Sequence, residues 1–251
     1  MVSLRLDGLG KRFGGVEAVA GLTLSFPPGR VIGLIGPNGA GKTTVVNMIT
    51  GIIPPSAGRI TLSERRVDGA LPHEIARLGI ARTFQNVRLL KEATVLDNIV
   101  VGCHRHEHAS LLASSLGLPS VWRERRDFRA RAHDLLTRFG LAELAARPAG
   151  NVSYGHQRLV EVMRALAMSP DFLLLDEPAA GMNDVEARNL GAIVRDLAAD
   201  GVGIVLIEHN MHFVMAICEE IHVLDSGRLI ASGTAQAVRR DPAVIRAYLG
   251  G

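Results

Sequence analysis

The chain has 251 residues, 47% of them hydrophobic, and contains no run near the roughly 18 consecutive apolar residues that a membrane-spanning helix needs. Its formal charge is +3 and its basic residues are spread along the chain, which indicates a solvated surface and not a nucleic-acid-binding tail. The N-terminus lacks a signal-peptide core, and two cysteines are too few for a disulfide framework or a zinc site. We therefore expect a protein of the reducing cytosol. Charge alone leaves a membrane-surface or nucleic-acid role possible without arguing for it, and we expect no nucleic acid among the partners.

The first third of the chain predicts short strands, separated by turn residues, around one helix. Alternating or continuous apolar runs indicate the strands, and clusters of glycine, proline and serine indicate the turns. The predicted strands cover residues 4–9, 22–26, Val31–Ile35, 59–62 and 80–84, the turns cover 11–15, 27–29 and 54–58, and the helix covers about 43–51.

The rest of the chain predicts an arginine-rich helical stretch, followed by strands that alternate with helices. Such alternation is typical of a mainly parallel sheet. Thr94 is the expected cap of the first of these helices. The helices are predicted over 94–101, 109–147 with a break at 117–119, 154–168, Asp184–Ala199 and 244–249, and the strands over 171–176, Gly203–Ile207 and twice within 220–232.

Three histidines, His104, His106 and His108, alternate with charged residues at the start of the arginine-rich stretch. They could form a metal site or a solvated cluster in a loop. Because no second group of ligands lies nearby in sequence, the solvated cluster is the favoured interpretation.

The segment 36–44 reads GPNGAGKTT and fits the phosphate-binding loop pattern, in which a glycine and four residues precede Gly41, Lys42 and Thr43. Gly36, Gly39 and Gly41 allow the backbone to turn its N–H groups toward an anion, and the following helix adds its positive dipole end. In this pattern the lysine reaches the outer phosphates and the threonine hydroxyl ligates Mg²⁺. The alternative is a glycine-rich turn before an ordinary helix. The strand before the loop and the helix after it favour a nucleoside triphosphate site.

Further polar residues follow predicted strands. The strand that ends at Asp176 would deliver a carboxylate to Mg²⁺, and the adjacent Glu177 would orient or deprotonate an attacking water. Glu177 could instead be a surface residue before a proline. Gln85 could contact both the metal and the water, and His209 could hydrogen-bond a γ-phosphate. Taken singly, Gln85 and His209 are weak signals.

The set and order of these motifs resemble those of the ATP-binding subunits of ABC transporters, over essentially the whole chain. The motifs are GPNGAGKTT at 36–44, Gln85, VSYGHQ at 152–157, LLLDEP at 173–178, AGMN at 180–183 and His209. The family's signature loop usually reads LSGGQ. Ser153 and Gly155 match it, whereas Tyr154 and His156 depart from it. Asn183 stands where the family usually has aspartate.

The resemblance implies an α/β fold: a P-loop NTPase core with a mainly parallel sheet, an N-terminal antiparallel β subdomain, and an α-helical subdomain that carries the signature. The single domain 1–251 would divide into a core, about 1–85 and 170–251, and a helical subdomain, 86–169. In this family two such subunits, identical or different, close head-to-tail around two ATP molecules. Each signature then faces the phosphate loop of the other subunit.

The resemblance also implies a role for each matching residue. Glu177 would activate water, His209 would contact the γ-phosphate, and Gln85 would assist them. Mg²⁺ would be held by Thr43 and Asp176 and sensed by Gln85. Phe13 would stack on the adenine of ATP, with Val19 beside it. The loop residues that would contact ATP are Gly36, Asn38, Gly39, Ala40, Gly41, Lys42, Thr43 and Thr44. Ser153, Gly155 and His156 would contact the ATP held by the partner subunit. Phe13 could instead belong to the core.

Several longer segments resemble sequences of the ATPase subunits of branched-chain (hydrophobic) amino-acid importers. These segments are ARTFQNVRLL, SYGHQRLVEVMRAL, LLDEPAAGMN, IEHNMHFVM and DPAVIRAYLG. The stretch 109–131 matches the extra length of the longer of the two ATPase subunits that such importers pair. The partners would be transmembrane permease subunits, which residues 86–99 would bind, and indirectly a solute-binding protein. Val87, Leu89 and Leu90 of this segment could instead be core residues. The chain would be peripheral on the inner face of the membrane. Amide, urea or lipopolysaccharide-export systems, and an ATP-gated scaffold with little hydrolysis, are the alternatives.

Overall fold

A computed structural model of the chain describes residues 2–83, 85, 87–103 and 119–249. The chain forms two compact units, Met1–Arg82 with Asp171–Gly251, and Thr83–Pro170. The histidines at 104, 106 and 108 and the predicted helical residues 109–118 lie outside the described residues.

The strands of the first unit form two sheets. One is four-stranded, in the order β2-β1-β4-β5, and the other is six-stranded, in the order β10-β9-β3-β8-β7-β6. The strands are β1 (Leu4–Phe13), β2 (Val16–Phe26), β3 (Val31–Ile35), β4 (Ala57–Leu62), β5 (Arg65–Arg66), β6 (Ile80–Arg82), β7 (Phe172–Asp176), β8 (Gly203–Ile207), β9 (Glu220–Asp225) and β10 (Arg228–Gly233).

The four-stranded sheet is antiparallel, and its first hairpin is longer than predicted. Phe13 pairs with Val16 across a turn of only Gly14 and Gly15. The prediction that residues 11–13 belong to the turn was therefore wrong. A two-residue turn lets both strands continue their pairing to the tip, and Gly14, with φ 54°, adopts the positive φ that such turns need.

The six-stranded sheet is mainly parallel. Strands β3, β7 and β8 are buried at every position, as expected for a sheet covered on both faces. The neighbours β7 and β8 run parallel, with Asp176 opposite Ile207. The carboxyl ends of these strands therefore lie at one edge of the sheet, where the loops after Ile35, Asp176 and Ile207 begin. This arrangement confirms the predicted α/β fold with an antiparallel sheet and a mainly parallel sheet.

The α-helices of the described residues are α1 (Lys42–Ile49), α2 (Pro72–Arg77), α3 (Val95–Gly102), α4 (Pro119–Arg138), α5 (Tyr154–Leu166), α6 (Asp184–Ala199), α7 (Met211–Ile217), α8 (Ala235–Arg240) and α9 (Pro242–Leu249). The hydroxyl of Thr94 accepts a hydrogen bond from the Asp97 amide at 3.0 Å, which confirms the predicted cap. No described helix is both long enough and apolar enough to span a bilayer.

Several element ends differ from the predictions. Helix α4 stops at Arg138 instead of residue 147, because Gly140 adopts a left-handed conformation with φ 68° that ends the helix. Strand β6 stops at Arg82 instead of residue 84. Helices α2, α7 and α8 were not predicted, since six or seven residues are too few to show a helical period.

The unit Thr83–Pro170 is helical. Helix α3 packs closely on α5 at Gly102, where an added Cβ would lie 2.0 Å from the carbonyl oxygen of Arg164. Buried side chains of α3, α4 and α5, including Ile99, Leu136 and Met163, form its interior. Two short 3₁₀ segments, Ala142–Leu144 and Ala149–Asn151, lead into α5.

Candidate active site

The loop between β3 and α1 wraps around the side chain of Lys42. The Lys42 ammonium donates hydrogen bonds to the carbonyl oxygens of Gly36 at 2.8 Å and Pro37 at 2.9 Å, and the residue is only 6% exposed. Burial lowers the pKa of Lys42, and the carboxylates of Glu177 and Asp176 act in the opposite direction. A cation is therefore held at the centre of the loop with two carboxylates nearby.

Two glycines of this loop stand where no other residue fits. A Cβ on Gly36 would lie 2.0 Å from the carbonyl oxygen of Leu224, and one on Gly41 would lie 2.6 Å from that of Ala18. Their φ angles of 151° and 96°, with 80° at Gly39, are also unfavourable for residues with a side chain. The missing Cβ atoms allow the backbone to form an anion cradle before a helix N-terminus, so the loop fits a triphosphate.

Other segments of the first unit hold this loop in place through backbone hydrogen bonds and packing. The amide of Gly227, in the turn between β9 and β10, donates to the Ala40 carbonyl at 3.1 Å, and the Ala20 amide donates to the Gly227 carbonyl at 2.9 Å. Val19 is completely buried in the hydrophobic core, and its Cγ2 would lie 3.4 Å from a Cβ on Gly41. Val19 therefore packs beneath the loop.

The outer side of the loop is open to solvent. Asn38, Gly39 and Thr43 are exposed, Thr44 is half-buried, and Ala40 is buried. The Thr43 hydroxyl thus lies on the first turn of α1 in a position that a ligand can approach, next to the buried Lys42.

Asp176 ends strand β7 and forms an ion pair that the sequence did not reveal. Its Oδ2 accepts a hydrogen bond from Nη2 of Arg82 at 2.7 Å, and Nη1 of Arg82 donates to Oδ1 of Asn47 at 2.6 Å. Arg82 and Asp176 are nearly buried side chains on neighbouring strands. The only sequence signal for Arg82 was a charged residue at the end of a buried strand.

Glu177 and His209 meet at the carboxyl ends of β7 and β8. Oε1 of Glu177 lies 2.7 Å from Nε2 of His209. Glu177 has a φ of 49°, which is unusual for a residue with a side chain, and its amide donates to the Ile207 carbonyl at 2.8 Å. Backbone strain of this kind persists only where the surroundings hold it, and it is frequent at active sites.

Phe13 lies at the exposed tip of the β1–β2 hairpin. The residue is 49% exposed, and Nζ of Lys11 lies 5.1 Å from the centre of its ring. The exposure rules out the alternative that Phe13 is a core residue. Its ring is available to stack on a planar group.

The signature residues lie in the helical unit. Ser153 is exposed and caps α5, and its hydroxyl accepts a hydrogen bond from the His156 amide at 3.2 Å. Gly155 is buried and His156 is half-buried. Tyr154 is 46% exposed, and the guanidinium of Arg158 lies 5.4 Å from its ring centre.

Arg158 also connects α5, the helix that carries the signature residues (the signature helix), with Gln85. The buried guanidinium of Arg158 donates a hydrogen bond to the backbone carbonyl of Gln85, an exposed residue. Arg164, on the same helix, donates to the Arg88 carbonyl at 2.6 Å, and Glu161 lies between the two arginines. This network fixes the backbone after β6 against α5, and sequence reasoning did not find it.

The chain matches known protein families along most of its length. The ABC transporter family matches residues 19–180, and the branched-chain amino acid ATP-binding cassette transporter family matches residues 228–251. The high-affinity branched-chain amino acid transport ATP-binding protein LivG of Salmonella typhimurium is 44% identical over 98% of this chain and 97% of its own. BraF of Pseudomonas aeruginosa, with the same description, is also 44% identical over 98% and 97%.

A solved structure, the ADP conformation of MJ1267, an ATP-binding cassette of an ABC transporter, has a TM-score of 0.86 to this chain. It is 32% identical, and the match covers all of both chains. The likeness thus extends over the whole fold and includes a nucleotide-bound relative. The protein therefore belongs to the ABC transporter family, as an ATP-binding subunit of the branched-chain amino acid cassette group.

Proposed function

We propose that the chain is the ATP-hydrolysing motor of an importer for branched-chain or other hydrophobic amino acids. The observation that carries the hydrolytic role is the 2.7 Å contact between Glu177 and His209, on the sheet edge where the loop around Lys42 also begins. The C-terminal match over residues 228–251 and the likeness to LivG and BraF support the choice of solute.

The fit of the loop glycines to an anion cradle supports ATP as the substrate. In our proposal Lys42 binds the outer phosphates, and Phe13 stacks on the adenine. Thr43 and Asp176 would hold Mg²⁺, which Gln85 would sense. Bound Mg²⁺ supplies a Lewis acid that neutralises charge on the transferred phosphoryl group. Val19 contributes by packing under Gly41 and not by touching the base.

Glu177 and His209 would carry out the chemical step together. Glu177 orients a water and accepts its proton, and the geometry fits because its carboxylate is partly exposed at the strand end. His209 holds the Glu177 carboxylate in place through Nε2, and the same ring would contact a γ-phosphate oxygen. The strained backbone of Glu177 supports this assignment, since strain is retained where it aims a side chain.

A second ABC ATPase subunit, identical or different, would complete the site. The exposed Ser153 at the N-terminus of α5 supports this, because a hydroxyl and a helix dipole together suit the γ-phosphate of ATP held by the partner. Gly155 would allow close approach there, and His156 would flank it. ATP then favours the closed dimer because it contacts both subunits only in that state.

The segment 86–99 would bind a cytoplasmic helix of transmembrane permease subunits. Leu90, an apolar residue, is 57% exposed, and its backbone amide is fixed by Oδ1 of Asn98 at 2.8 Å. A rigid apolar projection of this kind suits a partner helix. The chain would thus lie on the inner face of the membrane, coupled through the permease to a solute-binding protein.

Uptake of labelled leucine tests the proposal. Cells that lack this chain are complemented with wild type or with Glu177→Gln, and both proteins are quantified by immunoblot. Restoration by wild type alone supports both the motor role and the solute. Restoration by both forms would favour the ATP-gated scaffold. Leucine is supplied at a concentration that only one importer handles. Unchanged uptake in the deletion strain would then contradict the assignment of branched-chain amino acids as the solute. Amides, urea and lipopolysaccharide export would be assayed next.

A further inference from the structure

Glu208 is a buried carboxylate to which the proposed chemistry assigns no role. It lies directly between strand β8 and His209 and is only 4% exposed. Its Oε1 accepts a hydrogen bond from the Ala179 amide at 2.8 Å. Its Oε2 accepts from the His209 amide at 3.0 Å and, more weakly, from the Asn210 amide at 3.4 Å. One carboxylate thus joins the backbones of two loops.

The two loops are those that carry the proposed catalytic pair. Ala179 lies two residues after Glu177, and Glu208 immediately precedes His209. A second tie joins the same loops, because the Glu177 amide donates to the Ile207 carbonyl at 2.8 Å. The two loops are therefore joined twice close to the residues that make the contact between Glu177 and His209.

The chemistry of the site requires a carboxylate. Backbone amides face both oxygens of Glu208, so each oxygen must act as an acceptor. A glutamine would turn its NH₂ group toward one of these N–H donors and lose that bond. Burial raises the pKa of Glu208. The negative charge of Glu177 adds to this rise, whereas the hydrogen bonds from the three amides oppose it. Leaving any of these buried amides without an acceptor would cost free energy, so the surroundings favour a carboxylate at this position.

We propose that Glu208 is a positioning residue of the ATPase, which ties the loop after β7 to the loop after β8 and so holds Glu177 against His209. The proposal rests on the proposed catalytic roles of these two residues. Glu208 is buried and both of its oxygens accept from backbone amides, so we assign it no direct contact with substrate. It acts through the backbone of Ala179 on one side and of His209 on the other.

Steady-state ATPase kinetics of the full chain test the proposal with Glu208→Gln. Misplacement of a catalytic group by a fraction of an ångström lowers turnover steeply, so kcat should fall about 10-fold or more. The KM for ATP should stay within about 3-fold, because the phosphate loop is untouched. Glu219→Gln, which removes an exposed carboxylate of the same unit, is the matched control and should keep wild-type kinetics.

A histidine NMR signal provides a readout that a purely structural role would not change. The ring signal of His209, identified by its disappearance in His209→Gln, reports the hydrogen bond to Glu177. In Glu208→Gln this signal should move toward its position in Glu177→Gln. A wild-type kcat, or an unmoved His209 signal, would overturn the proposal. If Glu208→Gln does not fold, Glu208→Asp decides by the same two criteria, since its shorter side chain keeps the charge but does not reach the Ala179 amide.

The variants separate this inference from the proposed function. If Glu177→Gln retains wild-type turnover, the catalytic role of Glu177 is rejected, and the positioning role of Glu208, which depends on it, is rejected as well. If Glu177→Gln loses turnover while Glu208→Gln retains it, only the positioning role fails. Adding Glu208→Gln to Glu177→Gln should reduce turnover by less than the product of the two single effects, because the two residues act through one contact.

Discussion

The ammonium of Lys42 lies 2.8 Å from the carbonyl oxygen of Gly36, the residue that opens its own loop. This hydrogen bond, with a second one to Pro37, holds the cation over the loop and not out in solvent. Burial lowers the pKa of Lys42, and the carboxylates of Glu177 and Asp176, at the end of β7, oppose that shift. The Lys42 ammonium and the Arg82–Asp176 ion pair thus lie at the edge of the sheet where nucleotide chemistry is proposed.

Replacing Lys42 by alanine should abolish tight ATP binding, because the loop would lose the cation that neutralises the outer phosphates. Equilibrium binding of a fluorescent ATP analogue measures the effect. Lys91→Ala removes an exposed lysine of the helical unit and serves as the control. Equal affinity in Lys42→Ala and wild type would reject the phosphate-loop assignment.

Replacing Glu177 by glutamine should reduce ATP turnover by roughly 100-fold or more while ATP still binds, because the amide cannot accept a proton from water. Phosphate release and nucleotide binding are measured on the same sample. Glu64→Gln, in an exposed turn after β4, is the comparison and should turn over ATP like wild type. Near-normal turnover of the Glu177 variant would remove this residue from the mechanism.

Replacing Phe13 by alanine should weaken ATP binding without changing the melting temperature. The ring is half exposed, so little packing is lost, whereas stacking on a base contributes about 1–3 kcal/mol. Val16→Ala, on the other side of the same hairpin turn and 67% exposed, is the matched control. A lower melting temperature with unchanged affinity would contradict the stacking role.

Replacing Gly36 by alanine should destabilise the fold by more than about 2 kcal/mol, because the new Cβ would overlap the carbonyl of Leu224. Denaturant unfolding gives the change in free energy. Gly15→Ala meets no atom within 4 Å and should change stability by no more than about 0.5 kcal/mol. Equal stability of the two variants would argue against a rigid loop.

Replacing Asn183 by alanine should cost about 1 kcal/mol of folding free energy. Its Oδ1 accepts from the amides of Val185 and Glu186, at 2.9 Å and 3.0 Å, and the Asn183 amide donates to Oε2 of Glu186 at 3.0 Å. This capping box also accounts for asparagine where the family usually has aspartate, since either residue caps a helix well. Asn183→Asp should therefore match wild type in thermal unfolding, and an equal loss in both variants would contradict the capping role.

Local patterns were sufficient to predict the major elements of the core. The strand Val31–Ile35 and the glycines that follow it form one continuous segment of the chain, so their arrangement depends on neighbouring residues. The same holds for Phe172–Asp176 and for the cap at Thr94. Element ends were less predictable, as at Gly140, where a single left-handed residue ends a helix whose polar pattern continues.

The residues that sequence reasoning missed act through contacts between distant parts of the chain. Arg82 reaches Asp176 from the neighbouring strand, and Arg158 reaches the backbone of Gln85 from the signature helix. Glu208 reaches Ala179 across two strand ends. Neither charge nor spacing in sequence distinguishes these side chains from ordinary surface residues.

The sequence by itself determined the glycine-rich loop between strand and helix, the strand that ends at Asp176, and the family, because each depends on the type and order of residues along a short segment. The tertiary structure decided the partners of those residues: which carboxylate approaches His209, what Asp176 binds, and which core residue supports Gly41. The physical reason is the parallel sheet. It brings the ends of strands far apart in sequence to one edge, where hydrogen bonds of 2.7 Å and 2.8 Å select among side chains that the sequence leaves equivalent.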